Sequence, residues 1–579
     1  MYQHTLAPLS DNDSLNLGHI AHDDDDHHHE DSLAARRDDD EQARGNSSTT
    51  SFTNNIYIDG ILWGGDHIDS QPITYSFWND PDLDNDFGDI ASGDVNGIAP
   101  IGEDIWNKAT KDSVELAFTM WSNVANLDFE KVSDDSEQAD LSLMLVGTRD
   151  LGKNGFLGLF WPPGTPNAGI GYLNHEVESW NSNGLPQGSS GFATILHEIG
   201  HGLGLAHPHD NGGDSPKYPG VVDSSDTGKY GLNQGVYTTM SYNDGLDGNA
   251  SLGYGNQGTP MALDIAAIQH LYGANQSYNT GDNVYELPGS NQVGTYYSSI
   301  WDSGGTDTIS AQGVTLNTII NLNEAPLVGA NAGGYLSKAE GIEGGFTIAH
   351  DVTIENAIGG SGDDRITGND ADNVLEGDRG ADELIGNDGD DSLMGQQNND
   401  LLAGGFGNDS LYGGQDRDKL YGQQDSDRLY GGQDRDRLYG GQQSDRLYGG
   451  EDRDRLYGGQ DDDLLKGGQG RDDLHGGQGD DRLFGGADND RLVGGDGDDV
   501  LYGNGGADLF IVAAGKGTDV IKDFDIFEDR LALGSGLSFD DLTIVQQQNR
   551  TVIEARGAQL ALLPGVDASQ LTSDQFEVA

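Results

Sequence analysis

The most constraining feature of this chain is a nine-residue repeat that fills residues 359–511 without an insertion, giving 17 consecutive units. Two of the clearest copies are residues 359–367 (GGSGDDRIT) and 494–502 (GGDGDDVLY). The sixth position is aspartate in every unit except at Asn373, and the eighth is always Leu, Ile or Phe. Because so short a unit cannot bury its apolar residue alone, the period predicts stacked coils with a continuous apolar interior.

In each unit the glycine-rich half predicts a turn and the last residues predict a short strand. Glycine adopts the left-handed backbone of such a turn and leaves carbonyl oxygens open for ligation. The sixth carboxylate would face its counterpart in the next coil and share a calcium ion with it. Two units per coil give about eight coils, stacked about 4.8 Å apart. The candidate calcium ligands of the repeats are Gly360, Gly362, Asp364, Gly380, Asp382, Gly389, Asp391, Gly407, Asp409, Gly470, Asp472, Gly479, Asp481, Gly497 and Asp499.

The formal net charge of −68 separates two interpretations of this repeat. So large an acidic excess repels itself unless cations neutralise it, and its sign excludes a nucleic-acid-binding role. A solvated, disordered acidic chain is the alternative. A strict register with an invariant apolar position favours a fold built around calcium. The absence of cysteine excludes disulfides and thiolate metal sites.

A second motif occupies residues 197–207, HEIGHGLGLAH. His197 and His201 are four residues apart, which on a helix places both imidazoles on one face. Gly204 can turn the chain at the helix end, so that His207 becomes a third ligand. Three histidines leave one position of a tetrahedral zinc ion open for water, and Glu198 is placed to take a proton from that water. Surface histidines on an amphipathic helix are the alternative, which the added glycine and third histidine disfavour.

The remaining sequence divides by composition into further units. The N-terminus lacks the basic, apolar and small-residue series of a secretory signal peptide, and no segment is apolar for long enough to span a bilayer. An exported chain of this kind would use a route that does not read an N-terminal signal. The predicted units are 1–51, an acidic disordered leader or pro-segment; 52–275, a catalytic α+β domain; 276–358, a β-rich connector; 359–511, the repeats; and 512–579, a β-like C-terminal unit.

The pattern His-Glu-x-x-His-x-x-Gly-x-x-His is the metzincin signature, and its continuation with Pro208 resembles the serralysin branch. Met240, which lies 33 residues after His207 in the sequence TMSY, resembles the methionine turn of that family. The resemblance implies that Met240 lies beneath the zinc ion. It also implies that Tyr242 is either a labile zinc ligand or a donor to the tetrahedral intermediate. The nonapeptides resemble the RTX parallel β-roll. The implied fold is an α+β metzincin-type catalytic domain followed by an all-β parallel β-roll.

Segments 301–307 and 352–356 resemble the serralysin segments that hold the first calcium ions, and the loop 279–283 fits that site less well. The C-terminal residues DQFEVA resemble an uncleaved type I secretion signal. The resemblance therefore implies a protein that the type I secretion machinery exports to the extracellular medium. The calcium ligands that it assigns in the connector are Asp302, Gly304, Gly305, Asp307, Thr353 and Glu355.

The implied function is a calcium-folded zinc endopeptidase that hydrolyses proteins as a monomer without membrane insertion. Glu198 would act as general base, and Tyr242 would help to stabilise the oxyanion. Substrate would lie as an extra strand on a sheet edge, for which residues 167–172 are our candidate. The alternative is a non-enzymatic, calcium-dependent surface or adhesion protein with a vestigial protease domain. Zinc content and casein hydrolysis, with and without a chelator, would separate the two.

The central repeats depart from the pattern at three positions. Two accounts of the resulting Arg and Tyr rows stay open, namely cross-strand stabilisation and a docking surface for glycan or cell envelope. We also expect weaker calcium binding there, because aspartate accepts a left-handed turn less readily than glycine. Position four becomes Asp416, Asp425, Asp434, Gln443, Asp452 and Asp461; position seven becomes Lys419, Arg428, Arg437, Arg446 and Arg455; position nine becomes Tyr412, Tyr421, Tyr430, Tyr439, Tyr448 and Tyr457.

Overall fold

A computed structural model describes residues 47–78, 106–136, 138–147, 157–165, 167–177, 180, 185–243, 253–534 and 536–578. Most of the predicted leader, with its histidine cluster, lies outside these residues. None of the helices within them is both long and apolar enough to cross a bilayer. The described chain forms a mixed α/β region followed by a long β-solenoid, which confirms the predicted fold class.

The N-terminal region is built on a five-stranded sheet with strand order β4-β3-β5-β7-β6, and β6 is its only antiparallel member. Its described strands are β1 Ser47–Thr49, β2 Asp66–Ile68, β3 Ile73–Trp78, β4 Phe129–Lys131, β5 Leu141–Val146, β6 Gly158–Phe160 and β7 Ile170–Asn174. Its described α-helices are α1 Ile56–Asp59, α2 Lys108–Val124, α3 Ser190–Gly202 and α4 Ala262–Tyr272. Short 3₁₀ turns follow at Gly212–Asp214 and Lys229–Gly231.

Helices α2 and α3 form the core that carries the histidine motif. Ser189 caps the N-terminus of α3 by accepting a hydrogen bond from the amide of Phe192, and its side-chain oxygen thereby satisfies an otherwise unpaired donor. Trp121 of α2 is fully buried, and its indole N–H donates to the carbonyl of Leu196. Fully burying one such apolar side chain stabilises the fold by about 1.5–3 kcal/mol. The motif therefore rests on a rigid helix pair.

Two sequence expectations are wrong in this region. Residues 167–172 do not form a sheet edge, because β7 pairs with β5 on one side and with β6 on the other. The strand at that end of the sheet is β6. The assignment of residues 47–51 to a disordered leader also fails, since β1 pairs with β2 in antiparallel register. Local sequence pattern does not encode either pairing, because both depend on partners distant in the chain.

The solenoid begins before the repeats and continues after them. The connector strands are β8 Val284–Glu286, β9 Tyr297–Ile300, β10 Thr308–Ser310, β11 Thr318–Asn321, β12 Lys338–Ala339, β13 Gly345–Ile348 and β14 Asn356–Ile358. The repeat strands are β15 Arg365–Thr367, β16 Val374–Arg379, β17 Glu383–Asp388, β18 Ser392–Gln397, β19 Leu401–Phe406, β20 Ser410–Gly414, β21 Lys419–Gln423, β22 Arg428–Gly432, β23 Arg437–Gly441, β24 Arg446–Gly450, β25 Arg455–Gly459, β26 Leu464–Gln469, β27 Asp473–Gln478, β28 Arg482–Ala487, β29 Arg491–Asp496, β30 Val500–Gly505 and β31 Leu509–Val512. The C-terminal strands are β32 Asp519–Ile521, β33 Arg530–Leu533, β34 Leu542–Gln547, β35 Arg550–Ala555, β36 Ala558–Pro564 and β37 Phe576–Val578.

Each of the 17 repeat units supplies one strand, and the strands alternate between two parallel sheets. Every strand therefore pairs with the strand 18 residues away, as Leu429 pairs with Leu447. The eighth-position side chains from Ile366 to Phe510 are all fully buried. Strands β8, β10, β11 and β14 extend the stack at one end, and β32, β33, β36 and β37 extend it at the other. The roll thus has more coils than the repeats alone predict.

The turns of the roll adopt two conformations at the fourth position of the unit. Where this residue is glycine, as at Gly389 or Gly470, φ is near +120°. Where it is aspartate or glutamine, as at Asp434 or Gln443, φ is near +70°. Because L side chains accept only the second of these regions, the central units close their turns differently from the flanking units that have glycine at this position, whereas Asn398 and Asp488 share the central conformation.

Candidate active site

The helix α3 brings His197 and His201 onto one face, as the four-residue spacing predicts. The chain then turns at Gly204, whose φ is +106° and whose Cα lies against the backbone carbonyl of Asp66. A Cβ at this position would clash with that carbonyl, so the turn requires glycine. Beyond it, His207 returns to the first two histidines. The three Nε2 atoms lie 3.0–3.1 Å from one another.

Each of the three imidazoles is oriented through its other ring nitrogen. Nδ1 of His197 donates to the carbonyl of Thr239 at 2.7 Å, and Nδ1 of His201 donates to the carbonyl of Leu205 at 2.8 Å. Nδ1 of His207 donates to the carboxylate of Asp210 at 2.7 Å. These bonds fix the tautomer, so all three Nε2 lone pairs point to one place.

The electrostatics of the site keep the buried rings neutral. Burial lowers the pKa of His197 to about 3 and lowers that of His201 well below its ordinary value. Burial raises the pKa of Asp210, but the hydrogen bonds from His207 and the Gly212 amide, together with the charges of His207 and His209, outweigh it and leave that pKa below its ordinary value. Neutral imidazoles with converging lone pairs are the form that binds a metal ion.

This donor set fits one zinc ion. Zn–N bonds of about 2.0–2.1 Å in a tetrahedron place the nitrogens about 3.4 Å apart, close to the separations found here. Each of the three histidines offers one ligand atom, and these atoms lie close enough together to bind the same metal ion. His207, His209 and Asp210 form an overlapping group, in which His209 stacks on His207 with ring centroids 4.8 Å apart.

Glu198 lies beside the histidines with its carboxylate unpaired. The residue is buried, Oε2 has no hydrogen-bond partner among the described residues, and burial raises its pKa to about 8. The edge strand β6 passes directly over it, because a Cβ on Gly158 would lie 2.6 Å from Oε1 of Glu198. A buried carboxylate without a donor is costly to maintain, and such groups mark sites of proton transfer.

The methionine turn lies under α3. Met240 is fully buried, and a Cβ on Gly200 would lie 2.9 Å from its sulfur. Gly200 therefore lets the helix approach the methionine closely. Tyr242, two residues later, is about half exposed, and its ring centroid lies 4.6 Å from that of His207 and 5.6 Å from that of His197. The structure thus brings Tyr242 to the histidines from the solvent side.

Sequence reasoning missed Asp264 as a support of the site. This fully buried carboxylate of α4 accepts hydrogen bonds from the Thr238 hydroxyl and from the amides of Thr239 and Met261. Thr239 in turn provides the carbonyl that orients His197.

Sequence reasoning missed Asp210 as well, although its place three residues after His207 is a usable signal. Gly158 carried no sequence signal, since its importance depends on the position of β6.

The sixth-position aspartates of the roll face the interior between coils. The amide of Asp427 donates to Oδ1 of Asp445 at 2.8 Å, and the amide of Asp445 donates to Oδ1 of Asp463 at 2.8 Å. From Asp382 to Asp499, Oδ2 of each such aspartate is buried and has no hydrogen-bond partner among the described residues. One orphaned carboxylate oxygen per unit, beside glycine backbone, is a donor set that fits calcium.

The connector residues form a second acidic cluster. Oδ1 of Asp302 accepts from the amide of Gly304, and a carboxylate oxygen of Glu355 accepts from the amide of Asp307. Burial, reinforced by the nearby carboxylates, raises the pKa of Asp307 to about 6. Gly305 packs against Gly281, so the loop 279–283 is adjacent to this cluster. Thr353 is exposed, and no hydrogen bond links it to the cluster in the described part of the chain.

Comparisons with known proteins agree with this architecture. The matrixin family model matches residues 97–218, and the model for the C-terminal part of M10 serralysin peptidases matches residues 263–436. Models of RTX calcium-binding nonapeptide repeats match several overlapping segments within residues 421–521. A serralysin of Proteus mirabilis is 33% identical over 343 residues, covering 54% of this chain and 63% of the relative. Serralysin C of Dickeya chrysanthemi is 34% identical over 53% of this chain and 61% of the relative.

A third relative, the metallopeptidase AprA of Pseudomonas marginalis, is 36% identical over 49% of this chain and 59% of the relative. The matches thus span about three fifths of the length of these curated relatives. A His-Glu-x-x-His helix, a glycine turn, a third histidine and a buried methionine define a metzincin-type domain. With its match to the serralysin C-terminal model and its RTX repeats, the chain is similar to the serralysins over about half of its length.

Proposed function

We propose that this protein is a secreted zinc endopeptidase whose C-terminal roll folds around calcium. The convergence of three histidine Nε2 atoms beside the buried, unpaired carboxylate of Glu198 carries the proposal. His197, His201 and His207 would hold the zinc ion. When bound, zinc supplies Lewis acidity toward a scissile carbonyl and acidifies a water molecule.

The residues of the chain then act as proton carrier and donor. Glu198 accepts a proton from the attacking water and delivers it to the leaving amine. Tyr242, beside His197 and His207, donates to the oxyanion that develops on the carbonyl. Asp210 and the carbonyls of Thr239 and Leu205 hold the imidazoles in position. Asp264 holds the turn that carries Thr239 by accepting a hydrogen bond from the Thr239 amide.

The substrate peptide would add as a strand to β6. This strand lies at the end of the five-stranded sheet and passes over Glu198, so a peptide paired to it would cross the histidine site. Gly158 is suited to this place because any side chain there would displace the Glu198 carboxylate. The edge strand β6 thus replaces residues 167–172 as our candidate.

Replacement of Glu198 tests the mechanism. The isosteric Glu198→Gln variant should retain zinc and lose about 10²–10⁴-fold in kcat for peptide hydrolysis, since proton transfer is removed. The matched control is Glu115→Gln, on the outer part of α2, which should keep full activity. Casein or a quenched peptide gives the rate, and metal analysis gives the zinc content. Full activity of Glu198→Gln with zinc retained would refute the proposal.

Export is part of the same proposal. RTX-type calcium repeats and the resemblance of residues 574–579 to a type I signal support secretion through that machinery into calcium-rich medium. The chain would pass the channel unfolded, because its carboxylates repel one another until calcium binds.

A further inference from the structure

One face of the roll carries three parallel rows of cationic and phenolic side chains. We call it the basic face and define it by the outward residues of the units that form β21, β23, β25 and β27. Each row advances by one coil every 18 residues. The rows are Arg417, Arg435, Arg453 and Arg471 in the turns; Lys419, Arg437 and Arg455 on the strands; and Tyr421, Tyr439, Tyr457 and His475 beyond them.

The cations of the basic face lack acidic partners. No carboxylate oxygen of the described residues lies within 4.0 Å of any of its seven cationic groups, whereas Arg365 and Arg491 of the same roll are paired at 2.8 and 2.7 Å. Lys419 faces Arg437, and Arg437 faces Arg455, in direct cross-strand register. Like charges directly opposite each other on neighbouring strands destabilise a sheet. Cross-strand stabilisation therefore explains the tyrosine row but not the arginine rows.

The tyrosine row presents ring edges and hydroxyls rather than ring faces. Tyr421 and Tyr439 stack with centroids 4.8 Å apart and planes 4° apart, and Tyr439 stacks on Tyr457 at 5.0 Å and 5°. Because each ring face is covered by the next ring, the row offers no platform on which a nucleobase could stack, as single-strand binding requires. Its phenol groups and the adjacent guanidinium groups instead form a ribbon of hydrogen-bond donors.

The charge of this face is opposite to that of the molecule. Its four units carry seven cations against four exposed, unpaired carboxylates, which are Asp416, Asp434, Glu451 and Asp452. The corresponding units of the other sheet carry four cations against four carboxylates outside the buried sixth position, because Ser426, Ser444, Asp462 and Asp480 take the place of the turn arginines. In a chain of net charge −68, the basic face is thus a local site of attraction for an anion.

We propose that the basic face binds a linear, carboxylated polysaccharide laid along the axis of the roll. The guanidinium rows would take its carboxylates, for which planar Arg geometry is suited, and the phenol row would take its hydroxyl groups. A polymer with regularly repeated acid groups matches a surface whose cations repeat once per coil. Bound in this way, the polymer also offsets the repulsion between the stacked arginines.

Binding of the full-length protein to hyaluronate in calcium-containing buffer tests the proposal. The variant Arg435→Ser/Arg437→Ser/Arg455→Ser should weaken binding about 10-fold, as expected for the loss of three exposed ion pairs. The matched control Arg428→Ser/Arg446→Ser/Arg482→Ser removes the same charge from the other sheet and should weaken binding less than about 2-fold. Serine already occupies these repeat positions at Ser392, Ser410, Ser426 and Ser444, so both variants should keep the wild-type circular dichroism spectrum.

The outcomes discriminate sharply. Binding that is lost in the first variant, kept in the second and weakened by salt supports the basic face as the site. Equal loss in both variants, or no binding by the wild-type protein, overturns the proposal. Neutral dextran should not bind. Equal or tighter binding of polyphosphate or single-stranded DNA would also overturn it, because the partner would then be a polyanion without sugar recognition.

Discussion

The histidine site and the roll both gather ligands for a cation, but they assemble those ligands at different stages of folding. At the histidine site, α3 supplies two of the rings, hydrogen bonds hold all three, and a packed core with Trp121 supports the helix. In the roll, each carboxylate meets its partner from 18 residues away only when two coils have stacked. On our proposal the first site can exist before its ion, whereas the second would form only as the roll folds around its ion.

The same difference shows in the charges. Burial lowers the pKa of His197 and of His201, so these two rings stay neutral and converge at little electrostatic cost. Burial raises the pKa of the sixth-position aspartates, to about 7 for Asp445, about 8 for Asp463 and about 9 for Asp454. Stacking them without calcium therefore requires either protonation or buried negative charge. We therefore expect the roll to be the part of the molecule whose fold depends on the calcium content and pH of the medium.

Calcium removal should produce the largest effect and separate the two regions. With EGTA at pH 8, the roll should unfold and most of the β-sheet circular dichroism should be lost, because the carboxylates are no longer neutralised. Removal of zinc alone with phenanthroline should abolish hydrolysis and leave the spectrum unchanged. An unchanged spectrum in EGTA would contradict a calcium-dependent roll. Unfolding in phenanthroline would contradict a histidine site that forms without its ion.

Those features of both regions that depend on short, regular spacing could be predicted from the sequence. The nonapeptide period gave one strand per unit and an interior of eighth-position residues, and the spacing of His197, His201 and His207 gave their convergence. Residues that act through tertiary contacts were not predictable. Asp264 reaches Thr239 across the core, and Gly158 matters only because β6 lies outside β7 in the sheet. Sheet order depends on long-range pairing, which local alternation does not encode.

Loss of an orienting partner should weaken the preformed site without unfolding it. Asp210→Asn removes the carboxylate that holds His207 and should lower zinc affinity about 10–100-fold. The control is Asp214→Asn, which removes the same negative charge from an exposed position in the same loop. It should keep the wild-type affinity for zinc. Competition with a zinc chelator measures both. Identical affinities would mean that Asp210 does not orient His207.

The pH dependence of the roll should change sign with calcium. The folded pKa values lie above the ordinary aspartate value of 3.8, so the calcium-free roll is most stable below about pH 4 and loses that stability as pH rises through about 7 to 9. In EGTA, acidification from pH 8 to pH 5 should therefore increase protection of roll peptides from hydrogen exchange. In calcium, the same acidification should decrease it, since protons displace the ion. The same sign in both media would contradict this account.

The smallest effect should lie within the roll, between its two kinds of turn. Asp434 holds a φ of +71° where Gly470 holds +120°, and only glycine adopts the second conformation without strain. Asp434→Gly should let its turn close like the flanking ones and raise the calcium affinity of the central coils about 2–5-fold. Asp434→Asn removes the same charge but keeps the left-handed preference, so it should leave the affinity unchanged. Calcium titration monitored by hydrogen exchange of residues 428–441 measures both. An equal gain in the two variants would show that the side-chain charge, rather than the backbone conformation, distinguishes the central turns from the flanking ones.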